Sequence, residues 1–342
     1  MKFHLLFFAA AAVFAQTPQP NISHARFESR AFGGSLANQI RSDSPSWIGY
    51  AIQTTAGDRE NCCWNGSSQC GCNLEGGASV QVSGARQTTP VQLEGSSTVS
   101  VLFRTDSGRV EKVRVYSLSC PLDAGGLPVV WITDVPAAAS LTYLSGLVKT
   151  AASDHVADGA IMAIAQHSDA QADSVLEQLA ASGQPKQIRE KAVFWLGAAR
   201  GSRGAATLKD ILAHDADPEI RDKAVFALSI SKQPEALQWL MQAAKSDSSP
   251  HVRSQALFWL AQKAGKQAEA TIVNAIQNDP DTGVKERAVF ALSQLPKGEA
   301  IPKLIEVARN QRNPEVRKRA FFWLGQSNDS RALAFIEQVL TQ

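Results

Sequence analysis

Five cysteines, Cys62, Cys63, Cys70, Cys72 and Cys120, fall within a stretch of fewer than sixty residues, and the rest of the chain has none. Thiols gathered in this way support three kinds of chemistry. They can close disulfides, hold zinc as thiolates, or exchange electrons through a vicinal pair such as Cys62-Cys63. The paired two-residue gaps of a zinc site are missing, and His24 is the one histidine between residues 16 and 137. Disulfides are the favoured reading. One pairing consistent with the spacing joins Cys62 or Cys63 to Cys70 or Cys72, and Cys120 to another. An odd number leaves one thiol over or pairs it between chains, and the connectivity stays open. No catalytic residue, cofactor or metal is assigned. There is no nucleophile elbow, no His-Glu-x-x-His and no glycine-rich phosphate loop between strand and helix. His155 and His251 sit at equivalent places before an aliphatic residue and read as turn residues.

A second set of residues repeats. Ala192-Val193-Phe194-Trp195-Leu196, Ala224-Val225-Phe226-Ala227-Leu228, Ala256-Leu257-Phe258-Trp259-Leu260, Ala288-Val289-Phe290-Ala291-Leu292 and Ala320-Phe321-Phe322-Trp323-Leu324 follow one another every 32 residues. Ala160 to Ile164 forms a weaker earlier copy. An aliphatic residue stands four places before each Ala, from Val156 through Ile188, Ile220, Val252 and Val284 to Val316. Five of these six are followed by Arg189, Arg221, Arg253, Lys285 or Arg317. Apolar residues at i, i+4, i+7 and i+8 mark one face of a helix. Asp217-Pro218, Pro250 and Asn313-Pro314 stand where an N-cap and first turn belong. A second amphipathic helix fills each period, so one unit is a helix pair that buries its apolar face only against its neighbours. The array is expected to open near Leu141–Lys149 and to close on Arg331–Leu340 as an unpaired cap.

The run from Ile188 to Gly197 resembles the inner helix of HEAT repeats. The short period is similar to bacterial HEAT-like proteins of the phycobilisome-lyase type. The resemblance covers about residues 140–342. It implies a right-handed superhelix whose inner helices line a concave surface, and an activity that is mostly protein binding and only rarely that of a lyase. On such a helix Phe194 falls away from the face that carries Ile188, Ala192 and Leu196. Phe194, Phe226, Phe258, Phe290 and Phe322, with Trp195, Trp259 and Trp323 beside them, are therefore expected to form an aromatic ladder. The rings either line a binding groove or pack between inner helices, where Gly197, Ser229, Ala261, Ser293 and Gly325 leave room for them. The Arg and Lys row, with Lys191, Lys223, Arg287 and Arg319 two residues on, is read as structural. Asp215, Asp247 and Asp279 share its register and are able to pair with it across units.

The elements that precede the array differ in kind. Thr98–Thr105 and Arg109–Leu118, joined through Asp106-Ser107-Gly108, read as a hairpin. Ser46–Gln53, Ala78–Ser83 and Pro128–Thr133 are further strands, and Ser35–Arg41 a short helix. The fold class is therefore α+β multidomain: a cysteine-containing β-rich domain over 16–137, then an all-α right-handed HEAT-like solenoid of about six repeats over 138–342. Met1-Lys2 and the apolar run Leu5–Phe14 have the layout of a secretory signal over 1–15, with cleavage near Ala15-Gln16. The periplasm or the medium is the expected address. A net charge of +2 on 342 residues, 19% of them charged, provides no field for nucleic acid, and no later apolar run is long enough to span a membrane. The expected function is a non-enzymatic scaffold that binds a protein or peptide on its concave face. The alternatives are a lyase-like or accessory protein using the cysteines on a small ligand, or a structural envelope component. Oligomeric state is not legible.

Overall fold

The computed structural model describes residues 19–55, 61–65, 68–76, 79–80 and 97–341; the signal-like segment lies outside them. The chain divides into two compact units, Met1–Tyr143 and Leu144–Gln342.

The first unit contains β1 (Ile22–Ser23), β2 (Arg26–Ala31), α1 (Leu36–Gln39), β3 (Ser46–Gln53), β4 (Cys63–Asn65), β5 (Ser68–Asn73), β6 (Ser79–Val80), β7 (Thr98–Asp106), β8 (Arg109–Ser117), β9 (Leu122–Asp123) and β10 (Pro128–Thr133). The larger sheet has the order β2-β10-β3-β7-β8. β10 runs parallel to both neighbours, while β3, β7 and β8 alternate in direction. The β7–β8 turn contains Ser107 at φ 50° and Gly108 at φ 73°, the two left-handed residues of a two-residue hairpin loop whose twist matches its strands. β7 is buried almost throughout, so it carries Val99, Val101, Leu102 and Phe103 with no apolar–polar alternation. Gly49 of β3 is required by packing: a Cβ there would lie 2.5 Å from Leu102 Cδ2 and 2.8 Å from the Val101 carbonyl oxygen.

A smaller sheet, β1-β9-β5-β4 with β6 on β5, holds most of the cysteines. Cys62 bonds Cys120 and Cys63 bonds Cys72. The vicinal residues thus point their sulfurs to different partners, and while bridged these four cysteines present no thiolate for zinc. Cys70 falls on β5, across from Cys63 in the backbone register. Trp47, Leu74, Leu102, Leu122 and Trp131 pack around both bridges. β1, β2, β4, β5 and β9 were not anticipated. The expected strand Ala78–Ser83 is described only as Ser79–Val80, and its remaining residues are outside the described set.

Helix α2 (Ala137–Thr150) carries the boundary between the units. The second unit then continues as α3 (Asp154–Gln166), α4 (Gln171–Ala180), α5 (Lys186–Ala199), α6 (Gly201–His214), α7 (Pro218–Ile230), α8 (Ala236–Ser246), α9 (Pro250–Ala264), α10 (Lys266–Asn278), α11 (Thr282–Ser293), α12 (Lys297–Asn310), α13 (Pro314–Gln326) and α14 (Ser330–Leu340). The repeated motif lies on the odd-numbered helices from α3 to α13. Asp217, Asp281 and Asn313 accept backbone N–H groups of α7, α11 and α13 as N-caps, and Pro218, Pro250 and Pro314 open their helices where no donor is needed. Helix α14 packs on α13 and α12. It is therefore the second member of the sixth pair, which corrects its reading as an unpaired cap; Leu333, Val339 and Leu340 of this last helix are exposed.

Odd-numbered helices pack extensively on one another, whereas even-numbered helices meet along short stretches only. The odd-numbered helices, which have the closer approach, form the inner layer of the HEAT-like solenoid. Gly197 on α5 shows how close it is: a Cβ there would lie 2.3 Å from the Ala227 carbonyl oxygen on α7.

Candidate functional site

Two ladders run along the inner helices. In the polar one, Arg221 of α7 gives Nε and Nη2 to the two carboxylate oxygens of Asp247, each at 2.9 Å. Arg253 of α9 does the same to Asp279 at 2.7 and 2.9 Å, and Arg189 of α5 pairs with Asp215. Each arginine reaches 26 residues ahead, into the turn before the next inner helix. Arg221 and Arg253 also bond the carbonyls of Asp215 and Asp247, in the turns before their own helices. The same aspartates accept the backbone N–H of Asp217, Ser249 and Asp281, fixing those turns. All three pairs are buried, and the carboxylates hold the Arg221 and Arg253 guanidiniums above their ordinary pKa. Where Gln311 takes the aspartate's place, Lys285 takes the arginine's and turns to the Gln277 carbonyl. Arg189, Arg221 and Arg253 are architecture, because their charges are spent inside the stack, while Lys285 and Arg317 bond only backbone carbonyls.

The aromatic ladder is continuous. Trp195 contacts Phe194 edge-on at 5.1 Å; Phe194 stacks on Phe226 at 6.2 Å; Phe226 meets Trp259 at 5.0 Å. Trp259 contacts Phe258 at 5.0 Å, Phe258 stacks on Phe290 at 6.1 Å, Phe290 meets Trp323 at 5.1 Å, and Trp323 touches Phe322 at 5.0 Å. Eight side chains from five helices make one path of ring contacts. Tryptophan on alternate repeats bridges what two successive phenylalanines leave open, which accounts for the 64-residue alternation. The rings are half-buried along the path, and Phe322 at its end is 50% exposed. They both seal the joints between inner helices and show an edge to solvent. Three places on, the small residues have contacts of their own. Ser229 and Ser293 donate to the carbonyls of Phe226 and Phe290, and the space at Gly197 is taken by the α7 backbone.

Two hollows open on the ladder. One, of about 390 Å³, is walled by Phe258 and Phe290 with His251, Ser254, Gln255 and Arg287. The other, of about 320 Å³, shares Phe290 and Arg287 and adds Trp323, Glu286 and Arg319. Among the described residues, Trp323 Nε1 is buried without a hydrogen-bond partner. On the adjoining helix α7, burial raises the Asp222 carboxyl against the opposing pull of His251, whose Nε2 lies 3.7 Å away. Neither hollow was foreseen. The signal for them lay in the residues two and three places after each aliphatic one, whose charges pair across units: Lys191 with Asp158 at 3.0 Å and Arg319 with Glu286 at 2.8 Å.

The family model for HEAT repeats matches residues 174–261 and 237–320. Residues 174–320 are HEAT repeats. Solved structures similar to the chain include human deoxyhypusine hydroxylase (17% identity, 56% of this chain and 74% of that one, TM-score 0.32). The CpcE and CpcF complex of phycocyanin lyase from a Nostoc species is similar at 17% identity over 60% of this chain and 77% of that one, TM-score 0.30. Yeast importin-beta is similar at 15% identity, TM-score 0.39; the match takes in 61% of this chain and 34% of the importin. No curated protein sequence matches the chain. The β-rich first unit lies outside the HEAT match. Among the described residues, no helix is long and apolar enough to cross a membrane.

Proposed function

We propose that the protein is a non-enzymatic scaffold of the periplasm or the medium, which binds a protein or peptide along the inner layer of its HEAT repeats. One observation carries the reading: eight rings form an unbroken, half-exposed path across five inner helices. Aromatic side chains supply large contact area with few rotatable bonds, and they concentrate where binding energy does. The oxidising address is supported by the leader-like first residues and by two disulfides. The HEAT architecture itself does not decide function.

The test is selection of peptides from a random display library on the wild-type chain. Selected peptides are then titrated against wild type and against Phe258→Leu/Phe290→Leu, which keeps apolar volume and removes the ring faces. The expected outcome is a folded variant, by circular dichroism, that loses most of the affinity. Equal affinity would place binding elsewhere and refute the reading.

A further inference from the structure

We infer that the partner on this stripe is an extended acidic segment of another protein, with carboxylates that seat on Arg287 and Lys223 and apolar side chains between them on the rings. The inference rests on the stripe being a binding surface and adds the chemistry of what binds.

The cations three places after the aliphatic residue are Lys191, Lys223, Arg287 and Arg319, with Gln255 in the middle unit. Those at the two ends are neutralised: Lys191 by Asp158 and Arg319 by Glu286, each from the preceding repeat. The residue that would do this for Arg287 is Ser254, which has no charge. For Lys223 it is Glu190, and no ion pair closes between them. Among the described residues, Arg287 and Lys223 are exposed and make neither hydrogen bond nor ion pair. Arg287 is also the side chain that both hollows share with Phe290. Of the acids at these hollows, Glu286 is engaged by Arg319, and Asp281 accepts the Val284 N–H as the cap of α11.

An exposed guanidinium beside aromatic rings offers two parallel donors to one carboxylate. Ser254 and Gln255 add uncharged hydrogen-bonding groups in the same hollow. Lys223 lies two repeats away on α7. At about 8–10 Å between packed helices, the two cations are about 16–20 Å apart. An extended chain rises about 3.3 Å per residue, so carboxylates about six residues apart span that distance. The intervening side chains then lie over Phe226, Trp259 and Phe258.

The experiment uses the full chain and a fluorescent pool of peptides with two fixed glutamates about six residues apart and randomised Leu, Phe and Ser between them. Pools with glutamine or lysine at the fixed places, and a deoxythymidine oligonucleotide, are compared by anisotropy. The glutamate pool is expected to bind most tightly, and more weakly as salt rises. Arg287→Gln is expected to weaken it about tenfold or more, Lys223→Gln by less, and Lys191→Gln, whose charge is already paired, not measurably. Equal binding of the glutamate and glutamine pools, or an Arg287→Gln variant with wild-type affinity, overturns the acidic partner. If Phe258→Leu/Phe290→Leu still abolishes that charge-independent binding, the stripe survives as a site. If no pool binds wild type, or the Leu variant binds as well as wild type, both proposals fall. Tighter binding of the oligonucleotide than of any peptide also overturns the inference.

Discussion

Alanine at Gly197 and alanine at Gly325 are the same substitution at the same repeat position, four units apart, and they should move stability in opposite directions. At Gly197 on α5 the new methyl would lie 2.3 Å from the Ala227 carbonyl oxygen, 2.7 Å from its carbon and 2.9 Å from its Cα. These are backbone atoms of a packed helix, so no side chain can swing aside. Either α5 and α7 separate or the backbone strains. Overpacking of a well-filled joint costs about 1–3 kcal/mol, and the better helix propensity of alanine recovers at most about 1 kcal/mol of that. At Gly325 on α13 nothing lies within 4 Å of the added atom, so only the propensity gain of about 0.5–1 kcal/mol remains. For a unit of this size, 1 kcal/mol moves Tm by about 2–4 °C. Thermal unfolding followed at the helical circular-dichroism band should therefore show Gly197→Ala melting lower and Gly325→Ala slightly higher than wild type. Hydrogen exchange should place the loss at α5 and α7, since a repeat array fails locally. If Gly197→Ala melts higher than wild type, as Gly325→Ala is expected to, the inner helices are not stacked as described.

Asp279→Asn leaves the buried Arg253 guanidinium without its counter-charge and is expected to cost about 3–5 kcal/mol, read by urea unfolding; Lys285→Ala, at the equivalent place but bonded to one carbonyl, should cost under about 1 kcal/mol. His167 is buried and its pKa is pushed down to about 4, chiefly by desolvation. The unfolded chain then takes up a proton first as pH falls, so stability is fully present above about pH 6.5 and drops by about 3 kcal/mol as pH approaches 4. Urea midpoints across that window should flatten in His167→Gln, and an unchanged slope would count against the buried neutral imidazole. For the bridges, non-reducing peptide mapping should recover Cys62 joined to Cys120 and Cys63 to Cys72. The 58-residue separation of the first against 9 for the second makes Cys120→Ser the costlier change, about 4 against 3 kcal/mol for Cys72→Ser on chain-entropy grounds.

What could be read from sequence followed from how many residues carry each signal. The helix pairs were legible because one motif returns in register from Ile188 to Leu324, and a helix face needs no distant partner to be recognised. The β7–β8 hairpin was legible from Ser107-Gly108, since two left-handed residues admit few side chains. β2 was missed because both of its faces are exposed, so Arg26–Ala31 carries no alternation. β1, β4 and β9 are two or three residues long and are held by the bridged core around Cys72 and Cys120, a relation sequence spacing does not show. The aromatic ladder was placed on the right helices, but whether its rings pack or show was not legible. That depends on Trp259 and Trp323 leaning onto Phe226 and Phe290 of the preceding units. The hollows were hidden for a similar reason: Arg287 stands out only once Ser254 is seen to fill the place that Asp158 and Glu286 fill elsewhere.

Hydroxyl-radical footprinting of the full chain, free and with a peptide selected on it, tests the binding stripe most directly. The account predicts protection at Phe258, Trp259, Phe290 and Trp323, with Trp239 on the outer helix α8 unchanged. Protection confined to Trp239 and its outer neighbours, with the inner rings labelled as before, would contradict it.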